Sequence, residues 1–463
     1  MVSKKLPQIS LFSFFAFFFI GLRILLTFLT PLTADEGYYL QWAYHPALSY
    51  MDHPGMVSWI NSLFIFLFKE PLVSIRIAAA VCLTTTLFFV YKTIMYLTND
   101  KTKAYLGALL YFLIPYNFIF AITMQVDQPL LMFFSMAVFF SLKYINENKP
   151  KYLYILTVLF GLAFLSKYMI IVPIVSLFIY LLITNKKLII NKHFLFSILI
   201  FLIIISPILI WNFNNNWSSL SFHASRIGTE PLFKSLIEYI LEQFLYITPM
   251  IWINLIIVNK TKKNKLQKIA YTLFISVMIF FLVFSLKTKI WPHWTSLAYF
   301  PLSIYLASIL EERRLKTLTI HIMIFISLLV TCLGFTGPRV FLDQGKFNQN
   351  RNLITKLEQE TNTSLKDINV YADFHGACGE LSYYLKKQVY MPTKLLDING
   401  RWGANQHALW LEEEISTTAP IIVFASSHFE TELKKHYKSV EKLDVRLFTI
   451  EGHINRNNFY LCR

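Results

Sequence analysis

Two short acidic clusters raise the question of chemistry. The first reads Ala34-Asp35-Glu36-Gly37-Tyr38-Tyr39 and the second Tyr50-Met51-Asp52-His53-Pro54-Gly55. A fourth carboxylate, Asp127, stands in Gln125-Val126-Asp127-Gln128-Pro129. Cations recur at Lys167, Arg226, Lys287 and Lys289, with His293 close behind. All of them interrupt or border long apolar runs, where ionisable groups are costly to keep and by default mark a functional cavity. Carboxylates beside cations suit a reaction on a phosphate-linked substrate. The cations hold phosphate oxygens while a carboxylate orients or deprotonates a nucleophile.

Plainer readings stand beside this one. Asp127 ahead of Pro129 is also what a helix N-cap looks like. Lys167 can snorkel to an interface, and Trp291 and Trp294 suit an interfacial aromatic belt. Asp35-Glu36, followed by Tyr38, Tyr39 and Trp42, is more than a tether needs. No close His/Cys/carboxylate spacing calls for a metal, since His375 and Cys378 make only two ligands. No cofactor is expected. Composition alone leaves reaction and anion transport both open.

The elements that must position these groups are membrane helices. Of 463 residues, 55% are hydrophobic and only 15% charged, against about 45–50% and about 25% in soluble domains. Apolar runs begin near Gln8, Leu72, Ala104, Pro129, Tyr152, Met169, Phe194, Leu236, Ile269, Thr295 and Leu318. A bilayer core takes about 20 apolar residues per helix, so the expectation is about eleven spans. The first resembles a signal peptide, but its apolar core is longer than such segments carry, and it reads as a retained anchor. Lysine and arginine clusters at Lys101/Lys103, Lys149/Lys151, Lys186/Lys187/Lys192, Lys260–Lys268 and Arg313–Lys316 mark cytoplasmic turns. Reading 152–184 as two spans broken at Ser166-Lys167 keeps the five-lysine loop inside, as the positive-inside rule demands. That choice puts Met1 inside and segments 32–71, 123–128, 212–235 and 287–294 outside, with Lys167 at the outer face.

The net charge of +16 invites a nucleic-acid partner. After residue 337, however, 16 basic residues meet 15 acidic ones, while residues 1–337 hold 27 against 12. The excess sits in the loops between spans, where it sets orientation in a bilayer, and nucleic acid is excluded as a partner. The expected division is a transmembrane domain over 1–337 and an extracytoplasmic domain over 338–463. In that tail, apolar runs at Asn369-Val370-Tyr371 and Ile421-Ile422-Val423-Phe424 alternate with helical stretches at 379–387 and 430–437, the pattern of a small α/β fold. Cys378 and Cys462 both lie there, leaving a disulfide and two free thiols open.

At these residues the chain resembles bacterial members of the protein O-mannosyltransferase and lipid A aminoarabinose-transferase superfamily, with its GT-C fold. The resemblance is carried by Asp35-Glu36-Gly37-Tyr38-Tyr39, Tyr50-Met51-Asp52-His53-Pro54, Gln125-Val126-Asp127-Gln128-Pro129 and Leu165-Ser166-Lys167-Tyr168. It continues through Trp211-Asn212-Phe213-Asn214-Asn215-Asn216-Trp217, Lys289-Ile290-Trp291-Pro292-His293-Trp294 and Asn399-Gly400-Arg401-Trp402-Gly403-Ala404-Asn405-Gln406. It implies transfer of a monosaccharide, with inversion, from a polyprenyl (undecaprenyl) phosphate to a lipid A-like or protein acceptor, at the outer face of the bacterial inner membrane.

Asp35 and Asp127 match the family's acidic positions and are the catalytic candidates; Lys167 resembles a basic position near the donor. Glu36, Asp52, His53, Lys167, Arg226, Lys289 and His293 are the candidate substrate contacts. One departure matters. The aminoarabinose transferases carry Glu-Lys-Pro where this chain has Asp52-His53-Pro54, so a lysine that would meet phosphate is a histidine here. Neutral imidazole can still donate one hydrogen bond to a phosphate oxygen.

Two other classes compete. A transporter or flippase of a lipid-linked sugar or anion predicts inverted repeats and helices broken at mid-membrane, and the sequence has neither. A structural subunit gives no reason for acids and cations to gather on one side of the membrane.

Overall fold

The computed structural model describes residues 11–189, 191–225, 232–336, 350, 352–393, 395–396, 404–410, 415, 419–447 and 457–463. The chain forms two compact units. One comprises Met1–Thr27, Ile77–Ile122 and Val126–Thr331; the other comprises Phe28–Arg76, Thr123–Gln125 and Cys332–Arg463.

The first unit is helical. It holds most of α1 (Leu11–Leu29) and α4 (Pro71–Thr98), then α5 (Lys101–Leu113), α6 (Pro115–Phe120), α7 (Asp127–Glu147), α8 (Pro150–Phe164), α9 (Ile171–Thr184) and α10 (Lys192–Asn214). Beyond these come α11 (Ser218–Ser225), α12 (Leu232–Ile247), α13 (Pro249–Asn259), α14 (Lys265–Phe284), α15 (Ser296–Ile309) and most of α16 (Glu312–Thr336). Among the described residues, each apolar run of the sequence is helical. The helices α8 and α9 part at Leu165–Lys167, where the charge argument placed a break.

Two kinds of apolar helix result. Residues Ser296–Ser308 of α15 are buried on every side, as expected of a helix that is apolar or small all round. By contrast, α10 is the most apolar long helix, yet only 22% of its most hydrophobic window is buried. Leu195, Ile203 and Phe213 stand more than half exposed on it, and an apolar surface of that extent is a lipid-facing one. Among the described residues four helices, α4, α7, α10 and α14, are long and apolar enough to cross a membrane. The pair α12–α13, bent by 89°, makes a fifth if it is one span. The bend falls at Thr248, whose φ is 72°, immediately before Pro249.

The second unit joins the segment after α1 to the tail. It contains α2 (Ala34–Tyr44), α3 (Met56–Phe68), α17 (Leu353–Thr361), α18 (His375–Leu385), α19 (Ala404–Trp410) and α20 (Glu430–His436). Its sheet of β1 (Asn369–Ala372), β2 (Ile421–Ala425), β3 (Val440–Lys442) and β4 (Asn458–Cys462) runs in the order β1-β2-β4-β3. The β1–β2 pair is parallel and the other two are antiparallel. Every residue of β2 is buried, as suits a central strand covered on both faces.

Helix α2 lies against α18 with almost no gap. A Cβ on Gly37 would stand 2.8 Å from backbone atoms of Gly379 and Glu380, and a Cβ on Gly379 would overlap the Gly37 backbone. Only glycine permits such an approach. Gln41 Nε2 crosses the same seam, donating to Ser382 Oγ at 3.0 Å and to the Val389 carbonyl at 2.7 Å. Cys378 and Cys462 are both buried free thiols, so the disulfide left open by the sequence does not form.

Candidate active site

The acidic pair of the second unit divides its labour. Thr33 caps α2, its hydroxyl accepting from the Glu36 N–H at 3.3 Å while the Glu36 carboxylate accepts from the Thr33 N–H. This is a capping box. Glu36 is fully buried, and its Oε2 also receives Arg76 Nη2 at 2.5 Å. Its Oε1 accepts the Met124 N–H at 3.2 Å. The carboxylate of Glu36 is thus taken up in joining three stretches of chain. Asp35, one residue earlier, points elsewhere. It remains partly exposed, and the amide of Gln125 reaches its Oδ2 at 3.5 Å.

Spacing on α2 explains what surrounds it. Asp35, Tyr38, Tyr39 and Trp42 recur at three- and four-residue intervals and share one side of the helix. The second acidic cluster folds back onto that side. Tyr38 Oη donates to Asp52 Oδ1 at 3.2 Å, and the Tyr39 ring lies 6.5 Å from that of His53. Burial, and then the negative charge of Asp52, push the Tyr38 phenol well above its usual range, so it stays a donor. The loop is fixed from the tail as well, since the Met51 N–H donates to Gln406 Oε1 at 2.9 Å. Behind Tyr38 lies a group of buried rings: His375 at 4.8 Å, His407 at 6.2 Å and Trp42 at 5.3 Å. Burial, reinforced by His375 and His45, holds the His407 imidazole well below the usual histidine range.

In the helical unit, Asp127 and Lys167 find each other. Lys167 Nζ donates to both carboxylate oxygens, at 2.9 and 3.0 Å, and each side chain is 3% exposed. Asp127 is the first residue of α7 and its carboxylate makes no cap. Lys167 occupies the break between α8 and α9, in extended backbone conformation. At 3% exposure its ammonium does not snorkel. The Ser296 hydroxyl at the start of α15 also faces Asp127 and donates to the His293 carbonyl at 2.8 Å, which brings the 287–294 segment to the same pair. Lys289 is partly exposed and sits 4.8 Å above the Trp291 ring, with Glu242 near its charge. Arg226 lies outside the described residues.

Far along the same helix, α7 lines an apolar groove of 260 Å³ together with α8, α9 and α10. Its α7 residues, Ser141, Tyr144 and Ile145, lie 14 to 18 positions beyond Asp127, or about 21–27 Å along the axis. Among the described residues, no three His, Cys, Asp or Glu side chains come together as a metal site.

Sequence reasoning missed Arg76 and Gln41, and it gave Gln406 no role beyond the resemblance. Arg76 stands in an apolar run like any lipid-facing cation, and only the fold reveals its carboxylate.

Residues 52–211 match the family model described as dolichyl-phosphate-mannose-protein mannosyltransferase. No curated protein sequence matches the chain. Two crystal structures of ArnT from Cupriavidus metallidurans share its fold. The one bound to undecaprenyl phosphate has a TM-score of 0.67 at 14% identity, covering 97% of this chain and 98% of that one. The apo form has a TM-score of 0.68 at 12% identity with the same coverage. Residues 52–211 are thus similar to the protein mannosyltransferase family, and the chain shares the multi-helix membrane fold of ArnT over nearly its whole length.

Proposed function

We propose that this protein moves a monosaccharide from a polyprenyl phosphate to a lipid A-like or protein acceptor at the outer face of the bacterial inner membrane. The observation that carries the reading is the contrast between the paired acids. Glu36 is consumed by Arg76 and the capping box, whereas Asp35 keeps solvent access on the side of α2 that also holds Tyr38 and Tyr39. Support for the donor comes from ArnT, whose fold this is and which has been crystallised with undecaprenyl phosphate. An apolar groove of 260 Å³ in the helical unit suits a stretch of isoprenoid chain.

The chemistry is a single displacement. An acceptor oxygen forms a bond to the anomeric carbon as the carbon–oxygen bond to phosphate breaks, and polyprenyl phosphate leaves with the electron pair. Asp35 takes the proton of a hydroxyl acceptor. For a phosphate acceptor, already anionic, it positions the sugar instead. Lys167, Lys289, Arg226, His53 and His293 are the cationic or hydrogen-bonding contacts for phosphate oxygens, compensating the charge that develops on the leaving group. Asp127 is the second catalytic carboxylate and orients the Lys167 ammonium. Asp52, through Tyr38, and Glu36, through Arg76, are positioning residues.

The test is incubation of purified protein with a polyprenyl-phosphate sugar and candidate acceptors, following release of polyprenyl phosphate. Asp35→Asn should lose about 100- to 10,000-fold in turnover with a hydroxyl acceptor while still binding donor. Movement of the lipid-linked sugar across vesicles without any release would favour the transporter. Full activity of both Asp35→Asn and Asp127→Asn would place the chemistry elsewhere.

A further inference from the structure

Arg23 is a cation that the proposed reaction does not use. It lies on α1, six residues before Leu29, or about 9 Å from that end of the helix. It stands in an apolar stretch of sequence, and the residue is only 6% exposed. The guanidinium carbon sits 5.6 Å from the centre of the Phe112 ring. A ring contact of that kind satisfies none of the guanidinium's N–H donors. Both Nε and Nη1 are buried without a hydrogen-bond partner. Among the described residues no carboxylate pairs with it, and the titratable group close enough to act on its charge is the phenol Tyr111. Asn117 lies near the start of α6. Its Nδ2 donates to the Tyr111 carbonyl at 2.8 Å, and its Oδ1 is likewise buried and unbonded.

Snorkelling does not account for this residue, because a snorkelling head group has its donors in water and here Nε and Nη1 are buried. Nor does cation–π attraction alone, which is worth far less than the desolvation of a buried charge. A guanidinium buried in an apolar stretch of sequence calls for an anion. In a membrane unit, the anion that arrives at such depth near a helix end is a lipid phosphate, whose oxygens match the fork of arginine donors. We propose that Arg23 binds the phosphate of an anionic lipid seated against α1, α5 and α6. The chemistry is the same for a polyprenyl phosphate and for a bulk anionic phospholipid. Only the first of these rests on the transferase reading.

Binding is therefore measured without transfer. The full chain is placed in phosphatidylcholine nanodiscs and titrated separately with undecaprenyl phosphate and phosphatidylglycerol. Arg23→Gln should weaken one of the two by roughly 10- to 150-fold, the equivalent of one charge-assisted hydrogen bond. Arg23→Lys, which keeps the charge but not the fork, should lose less. A loss confined to undecaprenyl phosphate identifies the site with the donor; a loss confined to phosphatidylglycerol identifies it with a structural lipid. Unchanged binding of both lipids by Arg23→Gln overturns the proposal. Should that variant not fold, binding of both lipids by Arg23→Lys equal to the parent's does so instead. Release of polyprenyl phosphate by the parent is followed in parallel, so an absent transferase activity leaves the lipid result readable.

Discussion

The Asp127–Lys167 pair offers the sharpest test of how the helical unit is held. At 2.9 Å, two unit charges in an effective dielectric of about 20 attract by about 6 kcal/mol. Removing both from water costs a similar amount, so the intact pair contributes little net stability. Breaking it is another matter, since either neighbour left alone is an uncompensated charge at 3% exposure. Asp127→Asn and Lys167→Gln should each lower stability by about 3–5 kcal/mol. The double variant, which buries two neutral amides that can bond each other, should cost less than either single change. Denaturant unfolding in a fixed detergent, read by tryptophan fluorescence, gives all four corners of the cycle. A coupling energy near zero, with the two single losses simply adding, would refute the argument. The same double variant separates structure from chemistry: it should fold and yet fail to transfer sugar.

Three further outcomes follow, with one control taken from α1. Glu36→Gln keeps a capping side chain at the third position of α2 but weakens the contact to Arg76, and should cost about 1.5–3 kcal/mol in unfolding experiments; parental stability would remove Glu36 from the framework. Gly379→Ala drives a methyl into the Gly37 backbone and should cost at least about 1–3 kcal/mol, whereas Gly21→Ala, with nothing within 4 Å of the added carbon, should be neutral or stabilising; equal melting temperatures would contradict the close seam. His407 is neutral in the folded state and its imidazole is held well below the usual range, so the unfolded chain binds the extra proton. Stability should therefore fall as pH drops below about 6.5, by up to about 1.4 kcal/mol per pH unit until the lowered folded value is reached, and His407→Phe should flatten that slope; an unaltered slope would count against it.

Much of the helical unit was legible because a membrane span is a local property of sequence. Twenty apolar residues declare themselves, and even the break at Ser166-Lys167 followed from loop charge alone. The strands at Asn369 and Ile421 were readable for the same reason, as apolar runs between polar turns. What stayed hidden depended on distant partners. Nothing near Glu36 announces Arg76, forty residues on, and nothing near Gly37 announces Gly379. The order β1-β2-β4-β3 places the last strand in the middle of the sheet, a pairing no local pattern encodes. Among the site residues, the types and positions of Asp127 and Lys167 were visible, but their mutual ion pair was not. Sequence singled out Asp35 as catalytic and Glu36 as a substrate contact, but it could not show that Glu36 is buried against Arg76.

The glycine seam between α2 and α18 also has a cost in time. Tyr44 ends one helix and His375 begins the other, so the ribosome must add about 330 residues between them. At about 5–20 residues per second, that interval lasts roughly 15–70 s. Throughout it, the face of α2 that carries Gly37, Tyr38 and Gln41 has been made while its cover has not. Biogenesis therefore has to shelter an aromatic surface until the last quarter of the chain arrives. A chain cut after α16 would never cover it, and the first segment of such a truncated protein would remain in its nascent condition.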